Sequence, residues 1–247
     1  MKRILLLLGL LFATLAQQQQ ARAQALVADL SSHLIAITAG FSGTELLLFG
    51  ATEGEGDVVV LVRGPDSDVA VRRKARVAGI WINTETLSFA GVPSYYRVAS
   101  SKPLDEIVTP ALRQRHQIGS DFLRLAPSRD ADAIALAAFR AGLLRNKEKL
   151  ELYDPEPGRV TFLGSRLFRT RIVFPANVPT GAYSIEVLLV QNGQVIAAQS
   201  TPMFVSKIGV GAEIYDFAHV HAAWYGLIAI LIAVFAGWSA GLIFRKS

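Results

Sequence analysis

Cysteine is absent from this 247-residue chain, which excludes disulfide frameworks, thiolate metal sites and thiol redox chemistry together. Charge is scarce as well, at 18% of residues, though the middle of the chain is too apolar to be a disordered polyelectrolyte. No Walker or dinucleotide glycine pattern occurs, and Gly40-Phe41-Ser42-Gly43 lacks the spacing of a nucleophile elbow. There are four histidines. His33 and His116 stand alone, while His219 and His221 are spaced as a strand would place two ligands, with only Glu213 and Asp216 nearby. A third ligand is missing, so the residues predict no metal site. No cofactor and no enzymatic activity are expected.

The formal net charge of +5 and the isoelectric point near 9.6 would suit a nucleic-acid partner, but the basic residues argue otherwise. Lys2, Arg3, Arg245 and Lys246 flank apolar segments, and the remainder are interleaved with acids. No nucleic acid is expected.

Hydrophobic residues make up 51% of the chain, with a mean hydropathy of +0.36, and the excess sits at the two ends. Residues 1–23 have the plan of a secretory signal. Lys2 and Arg3 form a basic start, Ile4 to Leu15 a short apolar run, and Ala21-Arg22-Ala23 places small residues at a cleavage site. Ala23-Gln24-Ala25 is an equally shaped cut, preceded by the unusual run Gln17 to Gln20. At the other end, residues 222–244 contain no charge and stop at Arg245-Lys246, a length that suits a membrane-spanning helix. The flank before it has no Lys or Arg, so the positive-inside rule places the tail, residues 245–247, in the cytoplasm. Trp224 and Tyr225 stand where an interfacial belt belongs. Ala233, Gly237 and Gly241 recur every fourth residue, a spacing that lets a second helix approach closely.

Residues 24–215 read as one domain, large enough to hold itself together by its core without disulfides. His33 to Thr38, Thr44 to Thr52, Asp57 to Arg63 and Asp68 to Val77 are short β-rich runs separated by Gly- and Pro-containing turns. In the last run Val69, Val71, Ala75 and Val77 alternate with Arg72, Lys74 and Arg76, and Arg73 breaks the apolar face. Arg72, Arg73, Lys74 and Arg76 are therefore candidate anion contacts, set against a solvated strand face. Ile80 to Ser100, with its aromatics, predicts further strands. A helical insertion is expected at about 104–153, made of Leu104 to Gln117 and Asp130 to Leu152 with Asp130 as N-cap. Leu167 to Phe174, Ala182 to Gln191 and Gln194 to Val205 predict a three-strand tail, its last two members joined by the hairpin dipeptide Asn192-Gly193. Tyr183, delivered to a strand by Pro179-Thr180-Gly181, suits the tyrosine corner of an immunoglobulin-like sandwich. The expected fold is mainly β: an immunoglobulin-like β-sandwich with an α-helical insertion, plus one C-terminal transmembrane helix.

Several stretches carry a resemblance. They include Asp29-Leu30-Ser31-Ser32-His33, Leu46 to Ala51, Val62-Arg63-Gly64-Pro65, Arg72-Arg73-Lys74, Val77 to Asn83 and Val98 to Ser101. Asn177 to Tyr183 and Tyr215-Asp216-Phe217-Ala218-His219 complete the set. With them the chain resembles, along nearly its whole length, the alphaproteobacterial transmembrane family of the Alph_Pro_TM type. The resemblance implies an inner-membrane protein with a periplasmic domain, and a membrane-protein partner such as an exporter-like permease. It carries no functional residue across. Beside the lipid bilayer, the expected role is a non-enzymatic accessory or partner-binding protein, such as one serving a transport system. The alternative is a membrane-tethered periplasmic binder of a small anion or sugar.

Overall fold

A computed structural model of the chain describes residues 25–244; the signal segment 1–23 and the tail 245–247 lie outside the described residues. The domain is mainly β. A four-stranded sheet has the order β1 (Leu26–Leu30), β3 (Gly43–Thr52), β11 (Leu167–Pro175), β10 (Thr161–Leu163). A six-stranded sheet has the order β2 (Leu34–Ile37), β13 (Gln194–Lys207), β12 (Gly181–Gln191), β4 (Asp57–Arg63), β7 (Tyr96–Ser100), β9 (Gly158–Arg159). All neighbours are antiparallel except β2 with β13 and β7 with β9.

The four-stranded sheet alternates cleanly, as a sheet with one wet face must. Leu26, Ala28 and Leu30 are buried between exposed Val27 and Asp29, and Phe168, Thr170, Ile172 and Phe174 repeat the pattern. Those inward side chains meet the six-stranded sheet. Phe174 lies 5.9 Å edge-on from Tyr183, and Gln199 exchanges hydrogen bonds of 2.7 and 2.8 Å with the backbone of Ala28. In β4, by contrast, every residue from Val58 to Val62 is buried. Such an unbroken apolar run marks a strand covered on both faces. Helical segments supply the second cover: α1 (Leu104–Ile107), α2 (Pro110–His116) and a 3-10 turn at Ser120–Phe122. Arg63 donates to the carbonyl of His116, and Tyr96 donates to the carbonyl of Gln117.

Several expectations need correction. Leu104 to Gln117 is two helices, because Thr109 caps a new one through its hydroxyl and Pro110 cannot continue the first. The long helix α3 spans Ala133–Lys149, and its N-cap is Asp132, which accepts from the amide of Ala135 at 2.8 Å, in place of Asp130. The last three long strands do not form one unit. β11 pairs with β3 in the four-stranded sheet, while β12 and β13 belong to the six-stranded one. The chain changes sheets between Pro175 and Gly181, where two prolines prevent β11 from running on. A boundary at residue 215 falls inside a further helix, α4 (Val210–Val220).

The third sheet is a long hairpin, β5 (Asp66–Val77) with β6 (Ile80–Pro93), joined at its base by β8 (Ala126–Pro127). It packs on α3, where Gly142 leaves room beside Val71. The Asn192-Gly193 turn forms as expected, with both residues at positive φ (51° and 72°) as a type I′ turn requires.

Four buried tyrosines tie these parts together. The hydroxyl of Tyr183 donates to the carbonyl of Pro179 at 2.6 Å, the corner contact anticipated for it. Tyr95 reaches Val173 at 2.6 Å and Tyr153 reaches Pro93 at 2.7 Å. Tyr96 donates to Gln117 at 2.6 Å and accepts from the amide of Gly119 at 2.8 Å. Burial disfavours their anionic forms and raises all four pKa values, those of Tyr96 and Tyr183 to about 12. Above pH 10 the unfolded chain releases protons that the folded chain retains, so stability is full below pH 10 and is lost as pH rises toward 12. For Tyr96 the slope is about 1.4 kcal/mol per pH unit. Urea denaturation at stepped alkaline pH should follow this course, and Tyr96→Phe should flatten it while lowering neutral-pH stability by about 1 kcal/mol.

Candidate functional site

Two features of the domain deserve comparison as sites: the basic hairpin and a cleft beside the helices. On the hairpin the cross-strand pairs Arg72–Thr86, Lys74–Asn83 and Arg76–Trp81 share one face. Arg73 lies on the other. There it pairs with Glu85 at 3.3 Å and sits 5.0 Å above the ring of Phe139 in α3. The structure thus brings together three of the four basic candidates and uses the fourth to hold the hairpin to α3. Beyond Arg73 a bulge at Thr84 interrupts the register. The last pairs, Ala75–Ile82 and Val77–Ile80, continue to a two-residue turn at Ala78-Gly79, both at positive φ. Val77, Ile80, Trp81 and Ile82 are all exposed there, Trp81 at 69%.

The cleft, of about 750 Å³, lies between the segment Ser100–Phe122 and the segment Asp154–Phe162. Its charged lining includes Lys102, Asp105, Arg113, Asp121, Glu156 and Arg159. Half of these groups are held in ion pairs. Arg113 and Asp105 pair at 2.8 Å, and Lys102 bridges to Asp57 at 3.1 Å. Ser101 donates to Asp57 at 2.9 Å and accepts from the amide of Val58 at 3.1 Å, closing the loop after β7. Asp154 is half buried, and desolvation raises its pKa while the guanidinium of Arg97, 2.6 Å away, opposes the rise. Arg97 also donates to the carbonyl of Glu151 and lies 5.5 Å from the ring of Tyr95. This knot pins the chain where it leaves α3. The lining contains no histidine, so no imidazole stands ready to accept a proton from Ser101.

The histidines also sit differently from the strand spacing. His219 belongs to α4 and His221 caps it, so the two rings do not project from one strand face. The Nδ1 atom of His219 lies 2.8 Å from the carbonyl of Tyr215, with the two rings 4.0 Å apart. No group of three metal-ligating side chains occurs among the described residues.

The strongest sequence signal becomes a continuous helix, α5, over Ala222–Phe244. Twenty residues of it, Ala222 to Gly241, are long and apolar enough to cross a membrane, and none of that window is buried by the domain. Ala233, Gly237 and Gly241 fall on one face, and a methyl group added at either glycine would meet open space.

Domain and helix together define a class: a mainly β domain with a single candidate membrane helix C-terminal to it. The model of the family described as Putative transmembrane protein (Alph_Pro_TM) matches residues 25–246, and the chain belongs to that family. No curated protein matches it.

Sequence reasoning missed the Arg97–Asp154 knot, since 57 residues separate its members and neither lies in a motif. Asp154→Ala leaves a half-buried guanidinium short of its partner and should cost about 2 kcal/mol. Urea unfolding of the full chain in detergent measures this, and Glu156→Ala, an exposed neighbour, should change stability by less than about 0.5 kcal/mol.

Proposed function

We propose that this chain is a single-pass protein of the bacterial inner membrane, with its β domain in the periplasm and its C-terminus in the cytoplasm. Its role there is that of a non-enzymatic accessory protein to a membrane partner such as an exporter-like permease. The observation that carries this reading is α5, an apolar helix that the domain leaves wholly uncovered. Uncovered apolar area of that size is stable in lipid and not in water. No Lys or Arg occurs from Ile208 to Phe244, whereas Arg245 and Lys246 follow directly, which supports a cytoplasmic tail.

The domain is the kind that binds partners. Its sheet orders β1-β3-β11-β10 and β4-β12-β13 match the A-B-E-D and C-F-G arrangement of an immunoglobulin-like sandwich. The Tyr183 corner, at the start of the strand in the F position, supports the same assignment. Within the bilayer, the face of Ala233, Gly237 and Gly241 is where a partner helix would pack closest. The separate reading, a binder of a free anion, is weakened by Arg73, which is engaged on the opposite face from Arg72, Lys74 and Arg76.

Gentle-detergent purification followed by mass spectrometry tests the proposal. A membrane protein should co-purify, and Gly237→Leu with Gly241→Leu should lower its recovery roughly tenfold, the scale of 1–2 kcal/mol of helix packing. Recovery of the chain alone, under conditions that hold other inner-membrane complexes together, would count against it.

A further inference from the structure

We infer that the tip of the β5–β6 hairpin is a second membrane contact, dipping into the anionic headgroup region of the same bilayer that holds α5. This rests on the reading of α5 as membrane-spanning and adds to it a defined lipid-binding surface on the domain.

The tip combines features that soluble surfaces keep apart. Ile80, Trp81 and Ile82 are consecutive and exposed, at 65%, 69% and 40%, with Val77 beside them at 46%. The packing of the hairpin on α3 ends near Arg73, and beyond the half-buried Ala75 the side chains of Val77, Ile80 and Ile82 form an exposed apolar face. Tryptophan and isoleucine at a protruding turn suit the boundary between headgroups and acyl chains. Behind them stand Arg72, Lys74 and Arg76 on one face, placed to meet lipid phosphates once the tip is immersed. Of the four basic residues from Val69 to Thr84, Arg73 is paired with Glu85, whereas Arg72, Lys74 and Arg76 stand opposite Thr86, Asn83 and Trp81. Charge of a single sign on that face suits the headgroups of anionic lipids.

The root of the hairpin is at the proper end of the domain. Arg63, the last residue of β4, pairs with Ser184, and Gly181 pairs with Val205, two residues before β13 ends at Lys207. Gly181 also packs against Pro65, between β4 and β5. The hairpin therefore leaves the six-stranded sheet from the end at which the chain departs for α4 and α5. Its twelve-residue strand has a reach of roughly 40 Å. Along the route to α5, Ile214, Tyr215 and Phe217 of α4 are exposed as well, side chains suited to the same interface.

The lack of cysteine makes a direct test clean. Full-length chain is labelled with an environment-sensitive fluorophore at Ile80→Cys, Ile232→Cys or Glu55→Cys and reconstituted in vesicles of phosphatidylethanolamine and phosphatidylglycerol. Glu55 lies in the turn before β4, at the opposite end of that strand. Nitroxide-bearing lipids should quench the labels at 80 and 232, roughly twofold or more for a probe immersed at the acyl boundary, and leave the label at 55 unchanged. Quenching at 232 without quenching at 80 overturns the inference and leaves the anchor standing; no quenching at 232 overturns the anchor itself. A blue-shifted label at 80 that lipid nitroxides do not quench means that protein covers the tip, and this too overturns it. Combined Arg72→Glu, Lys74→Glu and Arg76→Glu, all at exposed positions, should abolish quenching at 80 while the thermal melting curve stays in place. Unchanged quenching in that variant would remove the role given to the basic face.

Discussion

Four phenol hydroxyls, each inside the domain and each donating to a backbone carbonyl, decide where the long excursions of the chain can lie. Tyr96 reaches Gln117 and Gly119 and thereby seats the short helices on the six-stranded sheet. Tyr153 reaches Pro93, fixing the exit from α3 to the root of the hairpin. Tyr95 reaches Val173 in the opposite sheet, and Tyr183 closes the corner at Pro179. Buried hydroxyls are costly when unpaired, so the insertions cannot shift without orphaning one of them. The rings add to this: Tyr95 stacks on Phe174 at 5.0 Å, and Tyr96 meets Tyr153 at 5.7 Å. Without disulfides, these aromatic ties serve as the cross-links between the two larger sheets, the helices and the hairpin.

The consequence is a three-layer arrangement in which the six-stranded sheet lies between the four-stranded sheet and the helices. Layering explains why Val58 to Val62 carry no polar residue, and why Leu188 and Val190 are as buried as Val187 and Leu189. It also explains the economy of charge. The one semi-buried pair among the described residues, Arg97 with Asp154, stands where the exit from α3 meets the sheet edge, while Arg113 reaches out to an exposed Asp105. The hairpin escapes this layering beyond Arg73, which is why its tip alone in the domain carries consecutive exposed isoleucine and tryptophan.

Much of this was legible in local pattern. The spacing of Asn192-Gly193, the alternation of β5 and the apolar length of α5 each arise from one element and its period, and each formed as read. The failures came where a second element intervened. Asp132 displaced Asp130 because the choice of cap depends on which residue the folded chain holds extended before the helix. His219 and His221 have strand spacing but lie in and beside a helix, since a two-residue interval is compatible with either. Arg73 looked like a fourth member of a basic cluster until Glu85 on the facing strand and Phe139 from α3 claimed it.

The sequence by itself determined the predominance of β structure, the apolar helix, the exclusion of thiol chemistry and the family resemblance, because composition and short-range period suffice for these. Only the tertiary structure decided which sheet each strand joins, which carboxylate meets Arg97, and that Ile80, Trp81 and Ile82 stand uncovered beyond three basic side chains. Burial and pairing are relations between residues far apart in the chain, and no local period records them.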